Sequence, residues 1–375
     1  MNERRYDLDW LRVMAIILLH LFHCAMPFIA EWDWHLKNKE TSYLVLECNY
    51  FLSRWRMPIL FFISGIGTVF VLNQKSVLHF IWQRTKRLLI PLLFGMLMIV
   101  PAQVYFERIY KGAKYTSYLD FYPSIFTTTV YPAGNLSWHH LWFIAYLFVY
   151  SLLAIPLILF FKSSKGIVIT NIVAKFSNKI GMIGFGLILS IAALLYFPFP
   201  GETHAFVDDW AAFTRYFLYF IFGAFFGTNP IFWKNLENNR KLNLKIAFFS
   251  TLFINYLRWN DKEPDWDIST VNILFIFLLA LSAWFWVTAF LGYGKKYLNF
   301  TNKFLQFSNE AIYPFYILHQ TFIVIIAYYV IQTQDDIISK YLFLTFVTLI
   351  LSIGFYVFLI KPYKITRFLF GMKIK

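Results

Sequence analysis

Charge is scarce in this chain. Asp, Glu, Lys and Arg make up 14% of its 375 residues, and cysteine occurs only at positions 24 and 48. A soluble domain carries about a quarter charged residues, so 14% charged with 59% hydrophobic and 22% aromatic residues excludes that class. Two cysteines exclude a disulfide scaffold and a cysteine metal cluster, although Cys24 and Cys48 are enough for one bridge. No internal repeat is present, so the inverted-repeat signature of many secondary transporters is missing. No low-complexity segment interrupts the chain. A cleavage site of small residues is absent after the first apolar run, which is also too long for a signal peptide. That run is expected to stay as a signal anchor.

What remains is an all-α polytopic membrane protein. About twenty apolar residues span a bilayer as a helix. Ten segments approach that length, at roughly 10–30, 49–72, 88–106, 139–160, 180–198, 211–228, 243–257, 270–291, 311–331 and 340–361. The second begins close to Arg54 and Arg56, and the seventh is short. With both termini in the cytoplasm, the inner segments hold 22 of the 34 Lys and Arg, and the outer loops 8. Acidic residues divide the other way, 15 of 20 outside. The positive-inside rule therefore accounts for the net charge of +14 as membrane topology, and nucleic-acid binding is not needed. One membrane domain over residues 1–375 is the expected organisation, with the lipid bilayer as its partner.

The first span, DLDWLRVMAIILLHLFH, carries groups that a plain anchor lacks. Asp9 and Arg12 lie one turn apart, as do His20 and His23. Eleven residues separate Arg12 from His23, which is about 16 Å along a helix and only about 20° around it. Ionisable groups at membrane depth cost about 2.5–3.5 kcal/mol each on insertion scales, and are functional candidates by default. A neutral imidazole at His23 is the group a general base requires. Packing against a neighbouring span is the competing role. His20 points about 60° away and is a secondary lining residue. A metal held by His20 and His23 lacks a third ligand at sensible spacing, so no metal is expected.

Four further stretches carry polar chemistry. WQRTKRLLIP places Arg84 and Arg87 beside Lys86 where the third span enters the membrane. Guanidinium forks suit phosphate, though inner loops carry such clusters routinely. The fourth span opens with His139 and His140 in HHLWF, and interface histidines beside Trp are common. SNEAIYPFYILHQ in the ninth span brings His319 to a depth comparable with His23, one turn after Tyr316, with Glu310 at the inner boundary. Arg54 and Arg56, before MPILFFISGIG, suit an anionic group or snorkelling. The largest outer loop, 107–138, is rich in Tyr and Pro, which suits sugar stacking or a membrane-interface belt. Gly223 and Gly227 are spaced for close helix packing.

Together these blocks resemble the integral-membrane acyltransferase family 3 over nearly the whole chain, in order. The carriers are the Arg-x10-His pattern at Arg12 and His23, the Arg-x-x-Arg pattern at Arg84 and Arg87, and HLWF at His140–Phe143. RMPILFFISG at Arg56–Gly65 and YILH at Tyr316–His319 join them. LD-x-x-R (Leu8, Asp9, Arg12) and RFLF (Arg367–Phe370) point to the glucan-modifying branch. His20, Glu310 and His139 match no family position.

The resemblance implies transfer of an acyl group from cytosolic acyl-CoA to a hydroxyl of a glycan or glycolipid, in a bacterial cytoplasmic membrane. His23 is then the catalytic histidine, and Arg12, Arg84 and Arg87 contact the coenzyme A phosphates. Acetyl-CoA and succinyl-CoA are both donors open to it, and no permanently bound cofactor is implied. His23 acts either as base or as an acyl carrier. A transporter or flippase for an anionic glycan or lipid is the competing class. It is disfavoured by the missing repeat and by the Arg12–His23 spacing.

Overall fold

The structure, a computed structural model, describes residues 4–178 and 181–374. These residues form helices and connecting loops without a β-strand; only the isolated bridges Ile29–Ser42 and Val130–Leu136 are extended pairs. The principal helices are α1 (Tyr6–Ala25), α2 (Tyr43–Leu72), α3 (Val77–Tyr110), α4 (Trp142–Leu153) and α5 (Ile155–Lys162). They continue as α6 (Ser164–Phe176), α7 (Gly181–Ala193), α8 (Trp210–Gly227) and α9 (Pro230–Trp259). The chain ends with α10 (Thr270–Tyr297), α11 (Lys303–Val330), α12 (Ile337–Phe355) and α13 (Lys364–Leu369).

All ten expected segments fall on helices, but the membrane count differs. Among the described residues six helices are long and apolar enough to cross a bilayer, or up to seven if α4 and α5 form one broken span. The break between them is a 45° bend, and Pro156 opens α5, where its missing N–H cannot continue the ladder of α4. Three expected spans fall short for readable reasons. Met182–Tyr196 is apolar but short. Arg215 lies inside α8. α9 is thirty residues long, and its first sixteen residues carry Lys234, Glu237, Arg240, Lys241 and Lys245. The second helix is also longer than expected. It starts at Tyr43, so Arg54 and Arg56 are well inside it rather than at its outer end, and Arg56 is 4% exposed.

The chain divides into two compact units, each assembled from three stretches, and α1 and α2 each run from one unit into the other. The first unit comprises Met1–Ala15, Arg54–Phe80 and Val149–Asn302. Its centre is Trp284, fully buried, whose indole N–H donates to the Met182 carbonyl at 2.8 Å. Phe62, Phe185, Tyr219, Phe222 and Phe226 surround that ring. α2 and α8 touch backbone to backbone. A Cβ on Gly65 would lie 1.9 Å from the Phe220 carbonyl oxygen, and one on Gly223 1.9 Å from that of Phe62. The small-residue spacing at Gly223 therefore marks a true helix crossing.

The second unit comprises Ile16–Ser53, Ile81–Phe148 and Lys303–Lys375. Here α11 packs along α12 and along the second half of α3. One apolar core joins Cys24 and Phe28 to Ile323, Val324, Ala327 and Leu344. α3 widens into π-helical turns at Thr85–Leu89 and Gly95–Ile99. Each precedes a proline, Pro91 and Pro101, which cannot donate to the carbonyl four residues back. Cys24 and Cys48 are both free thiols.

Gly223→Ala and Gly227→Ala separate the crossing from general helix propensity. A Cβ at Gly227 meets only ordinary contacts, the nearest at 3.5 Å from Ile66 Cα. Gly223→Ala is expected to lower thermal stability in detergent by about 1–3 kcal/mol, the usual cost of overpacking, and Gly227→Ala to leave it within about 0.5 kcal/mol.

Candidate active site

Two histidines meet inside the second unit. His23 on α1 and His319 on α11 bond through Nδ1 of His23 and Nε2 of His319, 2.9 Å apart, with ring planes 17° apart. His319 is fully buried, and its Nδ1 lies 2.7 Å from the Tyr316 carbonyl oxygen one turn earlier. A carbonyl only accepts, so that nitrogen carries the proton. In their neutral forms the rings then bond in one sense only. Nε2 of His319 accepts, Nδ1–H of His23 donates, and Nε2 of His23 is the unprotonated nitrogen. Such a nitrogen can remove a proton or attack a carbonyl carbon. A second residue thus sets the tautomer of the first, the arrangement that orients catalytic imidazoles.

His20, His140 and Tyr316 gather around this pair. His140 stands edge-on to His319, with ring centroids 5.3 Å apart, and His20 at 6.1 Å. His140 Nε2–H donates to the Ile317 carbonyl at 3.1 Å, and the Tyr316 hydroxyl donates to the His140 carbonyl. Both bonds tie the HLWF segment to α11. His20 is buried, and its Nε2–H donates to the Thr345 carbonyl at 3.1 Å. That proton serves α12 packing, so His20 and His23 have different surroundings despite sharing a turn.

Arg84 and Arg87 lie in the same unit, at the first π turn of α3. The π turn replaces the regular α geometry that the Arg-x-x-Arg spacing assumes. The C-terminal segment closes against the Arg87 backbone and Tyr313 of α11. Gly371, at φ +67°, lies so near that a Cβ would be 2.7 Å from Tyr313 Cε1 and 2.8 Å from the Arg87 carbonyl oxygen. A glycine is required there for both the positive φ and the close approach. Phe370 packs on Phe94, with centroids 5.3 Å apart. Arg367, 4% exposed, donates to Glu310 at 3.0 Å, to the Lys373 carbonyl at 2.9 Å and to the Lys361 carbonyl at 3.2 Å. Glu310 and RFLF, separate features in sequence, are thus one ion-paired seam.

Arg12, Asp9 and Arg56 belong to the first unit. Asp9 Oδ1 accepts from Arg12 at 2.9 Å, and its Oδ2 accepts from Arg4 at 3.0 Å, so Asp9 does hold Arg12. α1 is unbroken from Tyr6 to Ala25. Arg56 is buried.

A polar line in the second unit is not legible in sequence. His140 Nδ1 accepts from Gln103 Nε2 at 3.3 Å, and Gln103 Oε1 accepts from Gln320 Nε2 at 3.3 Å. Gln320 Nε2 also reaches His35 Nε2 at 3.2 Å, and His35 Nδ1 meets Glu107 Oε2 at 2.5 Å. The residues come from four distant stretches, so no spacing announces them. The one available signal was His139, beside the HLWF block: its Nε2 lies 3.8 Å from Glu107 Oε2. Tyr131 donates to Glu107 Oε1 at 2.9 Å, and burial together with the Glu107 charge holds its phenol above the usual tyrosine range.

The family model for acyltransferase family 3, described as an acyltransferase domain, matches residues 5–357. "Glucans biosynthesis protein C" of Salmonella typhi is 22% identical to this chain over 383 aligned positions, covering 99% of this chain and 95% of that protein. The protein of the same name from Salmonella typhimurium matches equally. That of Escherichia coli K12 is 27% identical over 157 positions, covering 41% of this chain and 38% of its own. No solved structure matches.

The C-terminal seam yields a stability test. Glu310→Gln keeps the shape but removes the charge facing buried Arg367, and is expected to cost about 1–3 kcal/mol in detergent unfolding. An unchanged melting temperature would show that the two carbonyl bonds of Arg367 suffice.

Proposed function

The chain belongs to acyltransferase family 3, and we propose that it moves an acyl group from acyl-CoA to a hydroxyl of a glucan or related envelope glycan, with His23 as the catalytic histidine. The observation that carries this reading is the one-way bond from His23 Nδ1–H through His319 to the Tyr316 carbonyl, which leaves His23 Nε2 as base. The glycan acceptor rests on the printed name of the relatives, the bacterial cytoplasmic membrane on the family resemblance, and the inside placement of both termini on a loop-charge division that assumes ten spans.

In the direct route, Nε2 of His23 takes the proton of the acceptor hydroxyl as its oxygen attacks the thioester carbonyl. The carbon–sulfur bond breaks, and the coenzyme A thiolate leaves with the proton returned by the imidazolium. His319 steadies the transient positive charge on His23 by accepting from Nδ1–H. In the stepwise route, Nε2 attacks the thioester carbonyl, the carbon–sulfur bond breaks and the thiolate leaves. The acceptor hydroxyl then attacks the acyl carbon, the acyl–Nε2 bond breaks, and the hydroxyl proton passes to the thiolate. Arg84 and Arg87 bind the donor phosphates, for which guanidinium forks are suited. Acetyl and succinyl donors both fit this chemistry.

Labelled acetyl-CoA and succinyl-CoA with purified protein and glucan acceptor test the proposal. His23→Ala is expected to abolish acyl transfer, with a loss of at least about 10³-fold. His319→Gln is expected to lower kcat by about 10–100-fold with little change in KM for the donor, as for loss of an orienting partner. Arg87→Gln is expected to raise KM for acyl-CoA by about tenfold. Undiminished transfer in a well-folded His23→Ala protein would overturn the assignment. Omitting acceptor and recovering an acyl group on His23 by mass spectrometry would select the stepwise route.

A further inference from the structure

At the far end of α3 from Arg84, the second unit gathers His35, Glu107 and His139. One side-chain nitrogen or oxygen from each lies within 4.8 Å of the others. Glu107 Oε2 lies 2.5 Å from His35 Nδ1 and 3.8 Å from His139 Nε2. Glu107 is fully buried, and so is the His139 Nε2 atom, which makes no hydrogen bond. A buried nitrogen left without a bond costs about 1–3 kcal/mol, so a cluster that aims one at a carboxylate invites a ligand.

The two oxygens of Glu107 are divided between separate tasks. Oε1 accepts from Lys111 at 2.6 Å and from the Tyr131 hydroxyl at 2.9 Å. Oε2 faces the two imidazoles. One oxygen is thus anchored by outer groups while the other is presented, the pattern of a monodentate metal-binding carboxylate with its supporting shell. His139 is held similarly. Its backbone sits at φ +40°, and Ser137 Oγ lies 2.7 Å from Nδ1. A serine hydroxyl can donate or accept, and with Ser137 as acceptor from Nδ1–H the Nε2 atom is the unprotonated nitrogen a metal takes.

We propose that His35 Nδ1, Glu107 Oε2 and His139 Nε2 bind a divalent metal of the zinc class, independently of acyl transfer. Two imidazoles and a carboxylate form the three-protein-ligand set of open zinc sites, and the borderline metals prefer it to magnesium or calcium. Metal–ligand bonds of about 2.1 Å place tetrahedral ligands roughly 3.4 Å apart. The 2.5 Å pair must open and the 3.8 Å pair close, each by less than about 1 Å. The proton that His35 Nδ1 shares with Glu107 moves to Nε2, beside Gln320. The Gln320 Oε1 atom is buried and makes no hydrogen bond. Turning that amide presents Oε1 as the acceptor this tautomer needs, and gives up the bond from Gln320 Nε2 to Gln103 Oε1. The ion joins the 29–42 loop, the end of α3 and the turn before α4, three segments no disulfide links.

The test uses the full-length protein in detergent, stripped with chelator, loaded with Zn2+ and desalted. Metal retained per chain is measured by mass spectrometry, and Co2+ loading is followed by visible absorption. About one equivalent is expected in the wild type, falling about tenfold or more in Glu107→Gln and His139→Ala, with Gln320→Leu weakening affinity about 10–100-fold. His79→Ala, an exposed histidine on α3, should retain its metal. His139→Cys restores a ligand and should recover binding with a thiolate-to-cobalt band in the near ultraviolet. That band answers the objection that His139→Ala merely misfolds. Wild-type protein that retains no more metal than His139→Ala, or equal retention in every variant, would overturn the proposal.

Discussion

A carbonyl oxygen can only accept. That constraint, applied at Tyr316, orders the centre of the second unit. It sets the tautomer of His319, which sets that of His23, and so determines which nitrogen of the first helix is unprotonated. In an apolar interior polar groups cannot trade partners with water, so the direction of each bond propagates to the next. His140 obeys the same logic. Its Nε2–H is committed to the Ile317 carbonyl, and Nδ1 is therefore the acceptor for Gln103. Both chains start from carbonyls of α11, one residue apart, where an unbroken helix around Pro314 holds the YILH block.

The site also depends on how α3 is distorted. Two π turns before prolines shift the register of a 34-residue helix. The first carries the Arg84–Arg87 pair, with Tyr313 and the Gly371 backbone against it. A regular helix would have set the two arginines as ordinary neighbours three residues apart. Here the C-terminal segment, fastened by Arg367 and Glu310, supplies one wall of their surroundings. RFLF thus contributes through Arg367 and Phe370, which face different partners.

Close backbone approach supports the first unit in a different way. Gly65 and Gly223 let α2 and α8 cross without side chains between them, and the aromatic cluster around Trp284 fills the volume beside the crossing. Inside a membrane little hydrophobic drive separates helix–helix from helix–lipid contact, so such packing carries much of the association energy. Arg5 shows a further economy. It pairs with fully buried Asp7 and lies 3.9 Å over the Trp233 ring, so a cation and an anion next to the first span are both satisfied.

Composition alone determined that this is a helical membrane protein. An apolar helix must satisfy its backbone internally, and that requirement is written residue by residue. The Arg12–His23 face was equally readable, because helical phase follows from spacing. So was the crossing at Gly223. The number of spans was not, since a twenty-residue apolar stretch does not reveal where its helix begins. α2 starts early enough to bury Arg56, and α9 carries charges through half its length. Only the tertiary structure joined His23 to His319, nearly 300 positions away, and separated His20 from His23 by giving it the Thr345 carbonyl. It alone brought together His35, Glu107 and His139, whose partnership depends on three loop and helix ends converging. Local spacing fixes which face a residue occupies, while distant contacts decide what that face meets.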